Sequence, residues 1–291
     1  MDKKQLSPLA LGLFLLFCLS GTAGGYVLPG PHILELVTRN IVEPAGLVVS
    51  QTRERLTTEI SGDDRRKQER ETPLDGVEED ASAGKALDSG DGDCVAGLIA
   101  GEGGTVSEKL WFSYPGQYRC QGKTGRDSSI TVFSNQRFIR VMNGKIVARQ
   151  ACFADYYRDI LIFRDRNGLS QRLEAVGVDI NRSSLQRYNG KICYVVGSVQ
   201  DKQNPMSSLW VDRDTFFPVR YVVKREKQVT EVLYSRWERV SRTWYPMEIT
   251  IILDNVPFFQ IDVENFRLEA DFSDSLFDID TLYKRSLDSE N

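Results

Sequence analysis

The last hundred residues restrict this chain more than any other stretch. Lys191–Gly197, Leu209–Arg220, Glu231–Trp237, Thr243–Leu253 and Phe258–Phe266 follow one another as short segments rich in β-branched and aromatic residues. Turn-forming or charged residues separate them, the pattern of consecutive β-strands. Such a meander predicts one large antiparallel sheet with an apolar face that something must cover.

Upstream, Pro31 opens a short helix over residues 32–40, with Ile33, Leu36 and Val37 at helical spacing. Leu47–Arg53 reads as a first strand. Residues 61–93 hold eleven acidic and five basic residues and almost no large apolar side chain, so a disordered acidic insertion is expected there. Order resumes near Gly104. Val106–Gln121 reads as strands broken at Tyr114-Pro115-Gly116, followed by Ser129–Val141 and Lys145–Ala151 around the hairpin signal Asn143-Gly144. A helical section interrupts at Phe153–Phe163, whose apolar side carries Tyr156, Tyr157, Ile160, Leu161 and Phe163, and continues over Leu169–Val176. The polar tail Lys284–Asn291 closes the chain. Strands interrupted by helices predict an α+β fold, with helices packed on one face of a highly curved sheet.

The N-terminus reads as an export signal. Lys3 and Lys4 precede the apolar run Leu9–Leu19, and Gly21–Gly25 supplies small residues for cleavage near Ala23–Gly25. Residues 1–25 are therefore expected to be removed, leaving 26–291 as a single domain. Without Asp2, Lys3 and Lys4 the net charge moves from −4 to −5, which argues against a nucleic-acid role. Cys94, Cys120, Cys152 and Cys193 make an even count that suits disulfides in an exported chain, although spacing does not set the pairing. No paired-cysteine motif points to a metal.

Chemistry is scarce. The chain has one histidine, His32, at a helix start, and no nucleophile motif accompanies it. Asp212 and Asp214 are spaced as a carboxylate pair, but Arg213 and the neighbouring turn residues favour a polar turn. No catalytic residue, cofactor or metal is assigned, and no enzyme is expected. Aromatic residues, by contrast, are abundant: Trp111, Phe112, Tyr118, Phe133 and Phe138 are among them. They build either an ordinary core or a cavity under the helices that takes apolar ligands.

Leu110-Trp111-Phe-Ser-Tyr114-Pro115-Gly-Gln-Tyr118-Arg119 resembles the Leu-Trp-x-x-x-Pro-x-x-aromatic strand of periplasmic outer-membrane lipoprotein carriers, the LolA-like superfamily. Residues 129–140 resemble that family's next strand and hairpin. Leu209-Trp-Val-Asp212, Pro218-Val-Arg220 and Trp244-Tyr-Pro246 are similar to segments of the broader lipoprotein-sorting group. The resemblance covers most of the chain outside 61–93. It implies an incomplete, strongly curved antiparallel β-barrel with helices on the concave face as a lid, and a periplasmic carrier of lipid or lipoprotein acyl chains. Membrane-associated donor or acceptor proteins are implied partners, and a monomer is expected. Where the small carriers have an arginine before the proline, implicated in lid and transfer, this chain has Tyr114. Tyr118 matches an aromatic cavity position, and alternation puts Leu110 and Phe112 on its side. Ile130 and Val132 are expected as neighbours, with Leu36, Ile160 and Leu161 as lid contacts. A periplasmic regulator or sensor of the same fold, using the acidic insertion as its contact arm, is the alternative.

Overall fold

The computed structural model describes residues 27–40, 46–56, 104–198 and 206–288. The expected export signal, the acidic segment and Cys94 lie outside the described residues. Thirteen strands form one antiparallel sheet in the order β6-β5-β4-β3-β2-β1-β13-β12-β11-β10-β9-β8-β7. The first half runs from β1 (Gly46–Arg55) through β2 (Thr105–Ser113), β3 (Gln117–Thr124), β4 (Asp127–Ser134), β5 (Arg137–Met142) and β6 (Lys145–Ala148). The second half is β7 (Ser183–Tyr188), β8 (Lys191–Gly197), β9 (Ser208–Asp212), β10 (Pro218–Arg225), β11 (Gln228–Val240), β12 (Thr243–Leu253) and β13 (Val256–Glu269). β1 joins the halves, pairing with β2 on one side and β13 on the other. The sheet does not close: β6 and β7 are its free edges.

The expected meander is present, and two of its segments split. Leu209–Arg220 bends at Asp212, whose carboxylate accepts the backbone N–H of Asp214 and of Thr215, which makes the polar turn. Ser129–Val141 folds back at Asn135-Gln136, both at positive φ (50° and 61°). That is the twist a two-residue hairpin needs, delivered here without glycine. Asn143-Gly144 makes the predicted hairpin, with φ of 48° and 83°.

Helices cover the inner face. These are α1 (Gly30–Asn40), a 3-10 segment (Phe153–Arg158) running into α2 (Asp159–Ile162), and α3 (Arg166–Ala175). Ile33, Leu34 and Val37 of α1, Ile160 and Leu161 of α2, and Leu169 and Leu173 of α3 join the main core with β1–β3 and β8–β13. The meander is not the last structured element. A 3-10 turn (Asp274–Phe277) and α4 (Ile279–Asp288) follow β13. Ile279 and Leu282 of α4, with Phe277 before it, pack against Val132, Ile139 and Val141 on the outer face, a second apolar cluster that a polar reading of residues 284–291 does not anticipate.

Candidate functional site: an aromatic row beneath a pinned helical cover

Strand register sets the inner face in rows. Leu47 faces Phe112, Phe112 faces Tyr118, Tyr118 faces Phe133, and Phe133 faces Phe138. Directly opposed side chains in an antiparallel sheet are in contact range, so this row is a continuous aromatic stripe across four strands. The rings of Tyr118 and Phe133 stack at 5.9 Å, and Tyr245 of β12 extends the stripe to Phe112 at 6.2 Å. Phe163, just after α2, meets Phe133 edge-on at 6.3 Å, so the helical cover closes directly onto the stripe.

The next row is mixed. Val49, Leu110, Cys120, Thr131 and Arg140 lie side by side, and beyond them Gln51 faces Glu108. These charges are buried and meet charges from the cover. Asp155 accepts from Arg140 Nη2 and Arg158 Nη1, each at 2.7 Å, and from the backbone N–H of Cys152 at 3.0 Å. Burial pushes the Asp155 carboxyl up, but Arg140 and Arg158 together outweigh it and hold the group below its usual range. Arg53 pairs with Glu108 at 3.0 Å, and Gln51 donates to Glu108 and to the Tyr157 hydroxyl. Tyr234 donates to the Tyr157 carbonyl and Tyr221 to Asp159, which also pairs with Arg172. The cover is thus pinned to the sheet by directional contacts as well as by apolar packing. Such contacts fix one docking geometry, because any other leaves buried charge unpaired.

The sequence-predicted residues divide. Leu110, Phe112, Tyr118, Ile160 and Leu161 all lie in the main core. Ile130 and Val132 do not: register puts them opposite Gln121 and Arg119, on the outer face, where they pack with the α4 cluster. Their side chains alternate with Thr131 and Phe133, and the latter pair faces inward. Leu36 is half-buried on α1 and stands outside the core cluster, whose helical stripe is Ile33, Leu34 and Val37. Tyr114 sits at the β2–β3 turn, stacked on Phe112, and the guanidinium of Arg164 lies 4.4 Å from its ring centre. Here the arginine comes from the cover and the ring from the strand.

Other candidates resolve simply. His32 is exposed on α1, 3.4 Å from Glu35. Asp212 is the turn cap described above and also meets Lys191. Cys120 and Cys193 are buried free thiols. Burial, with Glu108 adding to it, pushes the Cys120 thiol up to about 12, so it stays protonated.

One feature escaped the sequence. A cleft of about 510 Å³ opens where the β4–β5 turn, the segment after β6, α3, the end of β10 and α4 converge. Phe133 and Phe138, the end of the aromatic stripe, form part of its wall with Tyr156, and four arginines line it: Arg137, Arg149, Arg172 and Arg225. These come from four separate elements, and no local motif could have grouped them.

No family model matches the sequence, and no curated protein matches it. Among solved structures, a proposed outer membrane lipoprotein-sorting protein domain from Vibrio parahaemolyticus superposes with a TM-score of 0.51 at 7% identity, over 87% of this chain and 97% of that one. The chain shares the fold of that lipoprotein-sorting domain. It is the curved, open antiparallel barrel with inner-face helices that the sequence resemblance implied. A DUF1329 family protein from Desulfovibrio piger (15% identity, TM-score 0.48, 87% and 99% covered) and a LolA superfamily protein from Nitrosomonas europaea (12%, 0.46, 88% and 100%) are also similar.

Proposed function

We propose that the protein is an exported, periplasmic, non-catalytic carrier that holds lipid or lipoprotein acyl chains against its aromatic row. The observation that carries this reading is the stripe Phe112–Tyr118–Phe133–Phe138, laid across an unclosed sheet and roofed by a separate helical segment. The sheet is also the fold of a domain described as lipoprotein-sorting. A disulfide at Cys152 would suit the oxidising compartment this reading requires.

Burial of a dozen CH₂ groups contributes about 10 kcal/mol. That burial works against the cost of displacing the α2 segment, whose Ile160 and Leu161 are packed in the core. Leu110, Phe112 and Tyr118 would contact the chain, and Tyr114 with Arg164 would hold the cover at the β2–β3 turn. The working unit in this reading is a monomer, with membrane-bound proteins as donor and acceptor. Native mass spectrometry of protein purified from the periplasm, followed by lipid extraction, tests it. Co-purified phospholipid or acylated peptide is expected. A protein that stays ligand-free when offered acyl probes refutes it.

A further inference from the structure

The chain is acidic overall, at −4, yet among the described residues the cleft at the end of the aromatic row is lined by four arginines and no carboxylate. Two of the arginines are partly neutralised from outside it. Arg137 is held bidentately by Asp280, at 2.8 and 3.2 Å, and Arg172 pairs with Asp159 at 2.8 Å. Arg149 and Arg225 form no ion pair with a carboxylate among the described residues. Arg149 lies 4.9 Å from the Tyr283 ring centre, with Nη2 donating to the Tyr283 hydroxyl at 3.5 Å, and Arg225 lies 5.7 Å from the ring centre of Tyr156. A guanidinium carries five N–H donors, so one held against a ring still has donors at its edge for a ligand. Among the described residues, four cations against two carboxylates leave two positive charges over, matched to a phosphate monoester near neutral pH.

We infer that this cleft is a binding site for a phosphate group, held by Arg149 and Arg225 with Arg137 and Arg172 at its sides. Guanidinium forks match phosphate oxygens in geometry as well as charge. The neighbouring wall of Phe133, Phe138 and Tyr156 favours a phosphate carried on an apolar body over the free ion. The site stands on the cleft's own geometry and goes beyond the acyl-chain reading.

The test is calorimetry on the full mature chain with three probes: inorganic phosphate, dihexanoyl phosphatidic acid, and dihexanoylglycerol, which has the same acyl chains and no phosphate. Both phosphate probes are expected to bind one-to-one. Arg149→Gln/Arg225→Gln should weaken them by at least about tenfold, since each charged hydrogen bond is worth more than 1 kcal/mol. Arg187→Gln/Arg242→Gln, which removes the same charge from exposed positions elsewhere, should change affinity less than about twofold. Phosphatidic acid binding tighter than inorganic phosphate identifies a lipid headgroup, and equal affinities identify a free phosphate. Failure of both phosphate probes to bind, or equal losses in the two double variants, overturns the site. Dihexanoylglycerol separates the two proposals. Its binding with unchanged affinity in Arg149→Gln/Arg225→Gln supports the carrier reading whatever becomes of the site. Phosphate binding without it supports the site and counts against the carrier.

Discussion

Replacing Asp155 with Asn should cost far more than a lost surface ion pair. Asp155 is 3% exposed, and the guanidinium side chains of Arg140 and Arg158 that converge on it are 2% and 4% exposed. The amide keeps the shape and removes the charge, so the two buried cations lose the carboxylate they share. Breaking a buried pair in this way costs about 3–5 kcal/mol. With a urea slope of about 2 kcal/mol per molar, the unfolding midpoint should fall by roughly 2 M. The pH dependence gives an independent check. The folded carboxyl lies below its unfolded value of about 3.9. Its stabilisation is therefore fully present above that pH and is lost as pH falls through the folded value. Asp155→Asn should flatten that acid limb, and removing all three charges together should recover much of the loss. Urea titrations of the wild type and both variants at pH 7 and pH 3.5 read this directly. A loss below about 1 kcal/mol, or an unchanged acid limb, would mean the guanidiniums reach water and that the cover is not pinned by charge.

Further outcomes follow from single contacts. A Cβ at Gly30 would lie 2.0 Å from the Ile180 carbonyl oxygen, so Gly30→Ala should destabilise by about 1–3 kcal/mol, measurable by thermal melting. A double-mutant cycle on Tyr114→Leu and Arg164→Gln should give a coupling of about 0.5–2 kcal/mol. Hydrogen exchange over residues 159–175 should rise in Arg164→Gln as the cover loosens. The buried Cys120 thiol, raised to about 12, should resist a thiol reagent at pH 8 in the folded protein and react on unfolding.

Much of this architecture could be read from residue pattern. Segments such as Thr243–Leu253 and Lys191–Gly197 are β-rich beyond ambiguity, and Asn143-Gly144 announces its own turn. Pattern failed where the answer depends on a partner element. Ile130 and Val132 are as apolar as Leu110, and only the hairpin register at Asn135-Gln136 decides that they face α4. Residues 284–288 look like a solvated tail because one helical face of α4 is polar, while Leu282 on the other is buried. The ion network left a faint trace. Arg53, Glu108 and Arg140 occupy strand positions in phase with buried apolar residues, and a charge in phase with the core is a charge that needs a partner inside it.

The placement of β1 has a consequence for how the molecule comes into being. Its residues Gly46–Arg55 are bonded on one side to β13, with Gly46 opposite Glu269. Among the described strands, the first to emerge thus waits for the last to be made. β2–β6 and β7–β13 are each runs of strands paired with their neighbours in sequence, while the β1–β13 seam joins the most distant strands described and carries the largest loop-closure cost. Until Val256–Glu269 arrives, β1 is an open edge with unmet hydrogen bonds. A truncated copy lacking β13 would therefore keep two separate halves and an adhesive strand. The seam acts as a completeness check on the whole chain.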